Sequence, residues 1–576
     1  MHIGSEDCKF SAKASITLLG EPGELEITGF GEKFIGVQSG GTLELHGQDK
    51  LSWTKVTKTV LKFDLSLGQK FGHKELEGTQ HWDGVFAYQF TPDGTYVNRL
   101  FRSISHNRQK SVDWNIGKLK KFMDGVADGN ILAFATQRDH NRKGSDHSAL
   151  YDLIDSVAGP NKLRQIGSKS AYALVTVKGQ PSSTVDSLSH VDLNSNSDSA
   201  YARVERAMTV NGEDLQLVVE SYYNARRRWM GYSNFRVMDT KYSNPIIDLV
   251  DEPRGWKAGD RIFVTSTDYD WQQVEERTLM SCPTCTATQI KVDKPFEYEH
   301  FGEIVKNVDM RAEVGLMTRN ILIRGEVSKD QTNGGHVKFL KGFKSVRVEG
   351  VELTKMGQPM KLGRYPLHYH MCDNLTDSTM YPTPSYIRKN SIHHTQFRCL
   401  TIHGTHGAHV TENVCYDTFG HGFFIEDGGE KETYYYRNLG LGQRRWRGRI
   451  KVPETGTIPT DKTATTFWLT NPKTTLIGNV AAGGDGAGMW FVYPDIPTGP
   501  SSTMNLMAER EARRTKITKF ENNVCHSYNK AGLFVDNIEQ DDLTVKGYNQ
   551  YNPRENPLDR KSPSVPVLFN RLTGMC

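Results

Sequence analysis

The clearest pattern along the chain is a short apolar strand that keeps returning after an asparagine. Asn390-Ser-Ile, Asn413-Val-Cys, Asn438-Leu-Gly, Asn479-Val-Ala and Asn523-Val-Cys follow one another at intervals of 23, 25, 41 and 44 residues. The two longer intervals fit double turns or turns carrying insertions. Nine residues after four of these asparagines a second strand begins, at Cys399, Gly422, Gly488 and Gly532. Pro366-Leu-His-Tyr-His and Thr466-Phe-Trp-Leu-Thr fill the same slot in other turns. Turns of about 20–25 residues with strands at a fixed offset predict a parallel β-helix. The alternative is an antiparallel β-sandwich with accidental spacing, and the constant offset of nine across separate turns favours the helix. Asparagine suits a corner because it tolerates left-handed geometry, and its amide can stack on the asparagine of the next turn.

Strand side chains alternate between faces. In the recurring second strand the pairs Leu367/Tyr369, Leu400/Ile402, Phe423/Ile425, Phe467/Leu469, Met489/Phe491 and Leu533/Val535 are apolar and are expected inside the coil. The positions between them then point outward. One outward column reads His368, Thr401, Phe424, Trp468, Trp490, Phe534, and the next reads His370, His403, Glu426, Thr470, Val492, Asp536. Two consequences are expected. Phe424, Trp468, Trp490 and Phe534 form an aromatic ladder suited to stacking on sugar faces, unless a loop packs over it. His368, His370, His403 and Glu426 form a cluster within reach of one metal ion or one acid–base pair, with His394 and Asp417 sharing another slot after their asparagines. Imidazole favours zinc-like ions and carboxylate favours calcium.

Upstream the pattern differs. Residues 1–75 read as short strands with glycine punctuation. Residues 80–185 alternate strands with helices near Val112–Met123 and Leu150–Val157, a small α/β domain. Residues 182–200 are rich in Ser, Asp and Asn and read as a linker within an irregular β segment that runs over 186–300, and the β-helix fills 301–576. The N-terminus lacks the basic and apolar regions of a signal peptide and is expected to be the middle of a domain in a longer chain.

Composition narrows the partners. The 576 residues carry a net charge of +4, too balanced for a dedicated nucleic-acid binder. No apolar run is long enough to span a bilayer. Arg444, Arg445 and Arg447, set around Trp446, suit an anionic sugar. Cys282 and Cys285 lie close enough for a local disulfide, or are two free thiols. Asn374-Leu-Thr376 is an N-glycosylation sequon.

Several runs together resemble one family. They are Gly40-Gly-Thr-Leu-Glu-Leu-His-Gly with Lys50-Leu-Ser-Trp, Trp256-Lys-Ala-Gly-Asp, Val308-Asp-Met-Arg-Ala-Glu-Val-Gly-Leu, Tyr365-Pro-Leu-His-Tyr-His, Gly420-His-Gly-Phe-Phe-Ile-Glu-Asp and Pro497-Thr-Gly-Pro-Ser. In this order they resemble the cell-migration-inducing, hyaluronan-binding proteins and the cell-surface hyaluronidases. The resemblance implies a partial eight-glycine β domain, a paired-glycine α/β domain and a right-handed parallel β-helix, hence a mainly β fold. It implies an extracellular or cell-surface setting, hyaluronan as ligand and calcium-linked depolymerisation. At positions the resemblance ties to activity in the paired-glycine domain this chain has Asp83, Thr91 and Arg102, which do not match in type.

Two functional expectations follow. In the first, hyaluronan is cut on the outer face of the β-helix, with Glu426 or Asp417 as acid or base and His394, His370 and His403 as partners or metal ligands. In the second, the aromatic ladder and basic loops bind the glycan without cutting it. A third, purely structural role holds if the ladder is covered.

Overall fold

The computed structural model describes the chain except residues 21–26, 61–83, 93–95, 104–108, 139–146, 167–169, 191–198, 211–212, 225–231, 240–245, 327–332, 446–462, 540–544, 548–549 and single positions 295, 297, 360, 529, 536 and 576. It divides into two units, Met1–Lys62 with Pro245–Cys576, and Phe63–Asn244.

The first unit is a parallel β-helix with three walls. The first wall runs Phe34–Val37, His336–Leu340, Leu367–Asn374, Leu400–His406, Phe423–Ile425, Phe467–Leu469, Ala487–Phe491 and Ala531–Val535. The second includes Thr42–His46, Ser345–Glu349, Tyr386–Arg388, His409–Thr411, Thr433–Tyr436, Thr474–Ile477 and Lys519–Glu521. The third includes Ala14–Leu18, Ile321–Gly325, Val351–Thr354, Ser391–Thr395, Val414–Phe419, Leu439–Arg444, Val480–Ala481 and Val524–His526. Each neighbouring pair within these walls is parallel. The expected inward pairs, from Leu367/Tyr369 to Leu533/Val535, all belong to the coil's apolar core or pack against it.

Asparagines hold the corner between the second and third walls. Asn390 donates through Nδ2 to Asn413 Oδ1 at 3.0 Å, and the same bond repeats from Asn413 to Asn438, Asn438 to Asn479 and Asn479 to Asn523. The residue before each is left-handed: Lys389, Glu412, Arg437, Gly478 and Asn522 have φ between 50° and 64°. Left-handed geometry costs an ordinary residue about 1–2 kcal/mol. The ladder offsets this by satisfying buried amides that would otherwise lose their partners.

The N-terminal strands are part of this coil. Ala14–Leu18 pairs with Ile321–Gly325, Phe34–Val37 with His336–Phe339 and Thr42–His46 with Ser345–Glu349. What reads locally as a small β domain is therefore the opening turn of the solenoid, closed by strands far along the chain. Trp53–Lys55 then joins an antiparallel sheet with Glu313–Leu316, Arg261–Val264, Glu275–Met280, Gln289–Val292 and Ile246–Asp248. That sheet packs on the third wall through Trp53, Phe263, Tyr416, Leu439 and Leu441.

The second unit is a five-stranded antiparallel sheet of Gln180–His190, Ser170–Val177, Ile131–Arg138, Gly84–Phe90 and Tyr96–Ser103. Helices Gln109–Asp124 and Ser148–Ala158 cover one face, and a three-stranded sheet that includes Ser199–Val210 and Glu213–Asn224 covers the other. The polar run from 182 differs from the linker expected of it. Gln180–His190 is an edge strand, where Ser183 Oγ accepts from Val177 N at 2.9 Å and Thr184 Oγ1 donates to Ala158 O at 2.7 Å. Hydroxyls replace apolar side chains because one side of that strand faces water.

Candidate functional site

The first wall brings three histidines together. His368 and His370 lie on Leu367–Asn374, and His403 pairs with His370 from the next strand. Their ligand-capable nitrogens lie within 4.8 Å of one another. His370 Nδ1 is 3.1 Å from His403 Nδ1, and the rings of His368 and His403 are parallel with centroids 5.9 Å apart. His368 and His403 are buried, whereas His370 is partly open to solvent.

Each buried imidazole is oriented by its other nitrogen. His368 donates from Nδ1 to Gly363 O at 2.9 Å, which leaves Nε2 as a lone pair. That Nε2 is buried without a hydrogen-bond partner. His403 donates from Nε2 to Asp427 Oδ2 at 2.8 Å, so its Nδ1 faces the cluster. Glu426 Oε2 is 3.6 Å from His403 Nδ1, beyond hydrogen-bond reach, and is also buried without a hydrogen-bond partner. Glu426 Oε1 accepts from Tyr365 Oη at 3.4 Å, and Tyr365 Oη accepts from Arg398 Nη1 at 3.0 Å.

Electrostatics separates the rings. For His403 burial opposes the charge, but Glu426 and the hydrogen-bonded Asp427 outweigh it and push the pKa up to about 9. For His370 burial and the neighbouring His403 push it down to about 3. Burial, with His370 and His403 beside it, holds His368 neutral. Lys338, whose Nζ donates to Gly29 O at 3.0 Å, pairs in register with His368, and burial lowers its pKa too.

Asp427, Tyr365, Glu430 and Lys338 are members that the strand pattern missed. The strand Phe423–Ile425 ends before Glu426, so inward–outward alternation lapses and both acids reach the cluster. Glu430 fixes this loop by accepting from Gly404 N at 2.8 Å and Gly428 N at 2.7 Å. The run Pro497-Thr-Gly-Pro-Ser straps Asp427: Ser501 N donates to its Oδ2 at 3.1 Å and Thr498 N to its carbonyl at 2.9 Å. Gly499 is left-handed, and a Cβ there would lie 2.5 Å from Asp427 Oδ1, so only glycine lets the strap close. The consecutive acids in Glu426-Asp427 were the available signal.

Other expected residues lie elsewhere. His394 and Asp417 do share a slot, but on the third wall. They belong to a left-handed column with Lys355, Gly442, Gly483 and Ser527. His394 Nε2 is 2.9 Å from Glu276 Oε1 and 3.9 Å from Asp417 Oδ2, and Asp417 Oδ1 is 2.7 Å from Arg444 Nε. These groups fasten the antiparallel sheet to the coil, and the expectation that they act with His403 and Glu426 is corrected. Sequence spacing from the asparagine placed them in one slot but could not say that the slot faces a different wall.

The aromatic ladder is in register as expected, with Phe424 opposite Trp468, Trp468 opposite Trp490 and Trp490 opposite Phe534. Its exposure is not as expected. Phe424, Trp468 and Trp490 are buried in a small core of their own with Ala487 and Val492, and Phe534 is partly buried against it. His421 packs on Phe424 and Trp468, and the Arg398 guanidinium lies 3.9 Å over the Phe424 ring. With their faces taken, these four rings offer no platform for a sugar. Arg444 stacks on Phe419 and pairs with Asp417, and Arg445 donates to Asp485, so both serve the third wall rather than the histidines. Arg447 and Asp83 lie outside the described residues.

Cys282 and Cys285 form a disulfide, as do Cys399 and Cys415, a second bridge that sequence reading did not foresee.

Comparison with known proteins adds to this geometry. A CEMIP beta-helix profile matches residues 332–533 and a G8 domain profile matches residues 1–57. A cell surface hyaluronidase of Danio rerio is 34% identical over 98% of this chain and 42% of its own length. The human cell surface hyaluronidase CEMIP2 is 34% identical over 99% of this chain and 42% of itself. The cell migration-inducing and hyaluronan-binding protein of Mus musculus is 30% identical over the whole chain and 50% of itself. The chain thus spans about half the length of the curated relatives it matches. With matches to both a G8 domain and a CEMIP β-helix, it is similar over nearly its whole length to part of the cell surface hyaluronidases and the cell migration-inducing and hyaluronan-binding proteins.

Proposed function

We propose that the first wall binds hyaluronan or a related anionic polysaccharide at the cell surface or outside the cell, and cuts it beside His370. The observation that carries this reading is the meeting of a carboxylate, a phenol and a half-open imidazole next to a lysine: Glu426, Tyr365, His370 and Lys338. Cleaving a glycosidic bond needs one group to protonate the leaving oxygen and another on the opposite side to take a proton or attack. Glu426 is assigned the first task and His370 the second, with His403 and Tyr365 orienting them. Lys338 supplies positive charge for a uronate carboxylate. The names of the relatives, hyaluronidase and hyaluronan-binding protein, support the substrate class.

The test is size analysis of end-labelled hyaluronan with the full chain and with Glu426→Gln. The chain is expected to shorten the polymer. The variant is expected to retain column binding and to cut at least about 100-fold more slowly. Equal cutting by the variant would overturn the assignment of Glu426. Retention without shortening by the unaltered chain would establish the binding-only reading. That second reading is favoured by Thr91 and Arg102, which stand where the resemblance places residues of a different type.

A further inference from the structure

We infer that His368, His370 and His403 form a binding site for a zinc-class divalent ion, with the Glu426 carboxylate beside it. The hydrogen bonds around the cluster already select its ligand atoms. Gly363 O holds the His368 proton on Nδ1, so Nε2 is the lone pair turned to the group. Asp427 accepts the His403 proton on Nε2, so Nδ1, which faces the group, is the atom a cation would take in place of a proton. A metal-bound imidazole is typically fixed in this way, by a carbonyl or carboxylate on its far nitrogen. His370 Nδ1 faces His403 Nδ1 at 3.1 Å, and only one of two such atoms can carry a proton in that contact.

Two polar atoms in the cluster are unexplained without a ligand. His368 Nε2 and Glu426 Oε2 are both buried and have no hydrogen-bond partner. Leaving such atoms unmet costs about 1–3 kcal/mol each, more for a charged one. His368 is one of the three residues whose ligand atoms lie within 4.8 Å of one another, and Glu426 Oε2 adjoins them 3.6 Å from His403 Nδ1. A cation bonded to the three imidazoles would satisfy His368 Nε2 and bring positive charge beside Glu426.

The donor set decides the class of ion. Three imidazole nitrogens suit a borderline-soft ion in four-coordinate geometry with the fourth position open. Calcium takes six to eight oxygen ligands and would leave the imidazoles as poor donors. Nitrogens bonded at about 2.1 Å to one ion lie at most about 4.2 Å apart. The three histidine ligand atoms lie within 4.8 Å of one another, and on loading they draw in toward the roughly 3.4 Å that tetrahedral bonding at this length sets. Of the three, His370 is the one that solvent reaches, which gives an ion an entry path and leaves a place for an exchangeable ligand beside it.

The inference does not depend on the polysaccharide reading, because metal content is its readout and no glycan is present. The full chain is stripped with chelator, dialysed, and titrated separately with Zn²⁺, Co²⁺ and Ca²⁺. Bound metal is measured by elemental mass spectrometry, and Co²⁺ by its visible absorption. The expected result is one retained equivalent of Zn²⁺, a tetrahedral-type Co²⁺ spectrum and no Ca²⁺ retained at these residues. His370→Ala, which alters the half-open ligand, is expected to abolish the Co²⁺ spectrum while circular dichroism stays unchanged. Asp427→Asn keeps all three ligands and is expected to weaken Zn²⁺ binding by about 10–100-fold. Absence of Zn²⁺ retention by the folded chain would overturn the inference. So would Zn²⁺ retention and a Co²⁺ spectrum that His370→Ala leaves unaltered, since the ion would then be held elsewhere.

Discussion

Glu313 shows how a single residue ties the antiparallel sheet to the coil. It is fully buried, which alone would raise its pKa. Lys55 at 3.3 Å, His526 at 3.0 Å and the Thr265 hydroxyl at 2.9 Å outweigh burial and bring it down to about 2. An unfolded glutamate titrates near pH 4.3. The unfolded chain therefore takes up this proton first as pH falls. The stabilisation is complete above about pH 4.5 and is lost between there and about pH 2. Glu313→Gln is expected to flatten that acid limb and to cost about 3 kcal/mol at neutral pH, where Lys55 loses a buried partner. Urea midpoints from pH 2 to 7 read both, and an unchanged acid slope would assign the effect to other carboxylates. At the surface, Asn374 Oδ1 accepts from the backbone N–H and the hydroxyl of Thr376 at 3.0 and 2.8 Å, a turn that displays the exposed sequon. Disulfides persist in oxidising compartments, where a protein exported from the cell would be expected to carry a glycan at this sequon. Glycosidase treatment should raise gel mobility, Asn374→Gln should remove that change, and an unmodified Asn374 peptide in the mass spectrum would contradict it.

Among the elements, the ladders divide into one that is read correctly and one that is not. The asparagine spacing was legible because each amide does the same task in each turn: it donates to the next asparagine and to a carbonyl, as Asn438 does to Asn479 and to Val410 O at 2.9 Å. Asn438→Ala leaves Asn413 without its acceptors and the Val410 carbonyl without its donor. A loss of about 2–4 kcal/mol is expected, seen as a lower urea midpoint and faster hydrogen exchange in the flanking turns. The aromatic register was equally legible, since a period-2 pattern fixes which side a ring takes. What covers that side was not, because His421 and Arg398 reach it from loops that carry no period. Trp468→Ala is accordingly expected to destabilise the coil by about 3–5 kcal/mol. It should leave hyaluronan retention by the folded fraction unchanged. A selective loss of retention at full folding would restore the ladder as a binding surface. The histidine trio was visible for the same reason as the rings, as outward positions of paired strands. Asp427 and Tyr365 were not, since both lie beyond the strand ends.

For the whole molecule, the long insertion is the organising feature. Val56 is bridged to Leu249, and Thr57 N donates to Asp248 O at 2.8 Å, so the chain leaves and re-enters the first unit at neighbouring points. Phe63–Asn244 has its own apolar cores. Replacing it with a short Gly/Ser linker is expected to leave the β-helix folded, with its cooperative urea transition and its protected amides retained. Collapse of that transition would show that the two units depend on each other. Deleting residues 1–57 should do the opposite, because it strips the end strands from all three walls and exposes three sheet edges. Aggregation on size exclusion is expected.

That arrangement also sets a schedule for synthesis. Thr17 and Arg324, neighbours in the finished coil, are 307 residues apart along the chain. A ribosome adding roughly 5–20 residues per second needs about 15–60 s to make that stretch. For that time the opening strands have unpaired edges and no template. A holding chaperone is thus as much a requirement of this topology as any bond within it, and slower translation would lengthen the exposure instead of easing it.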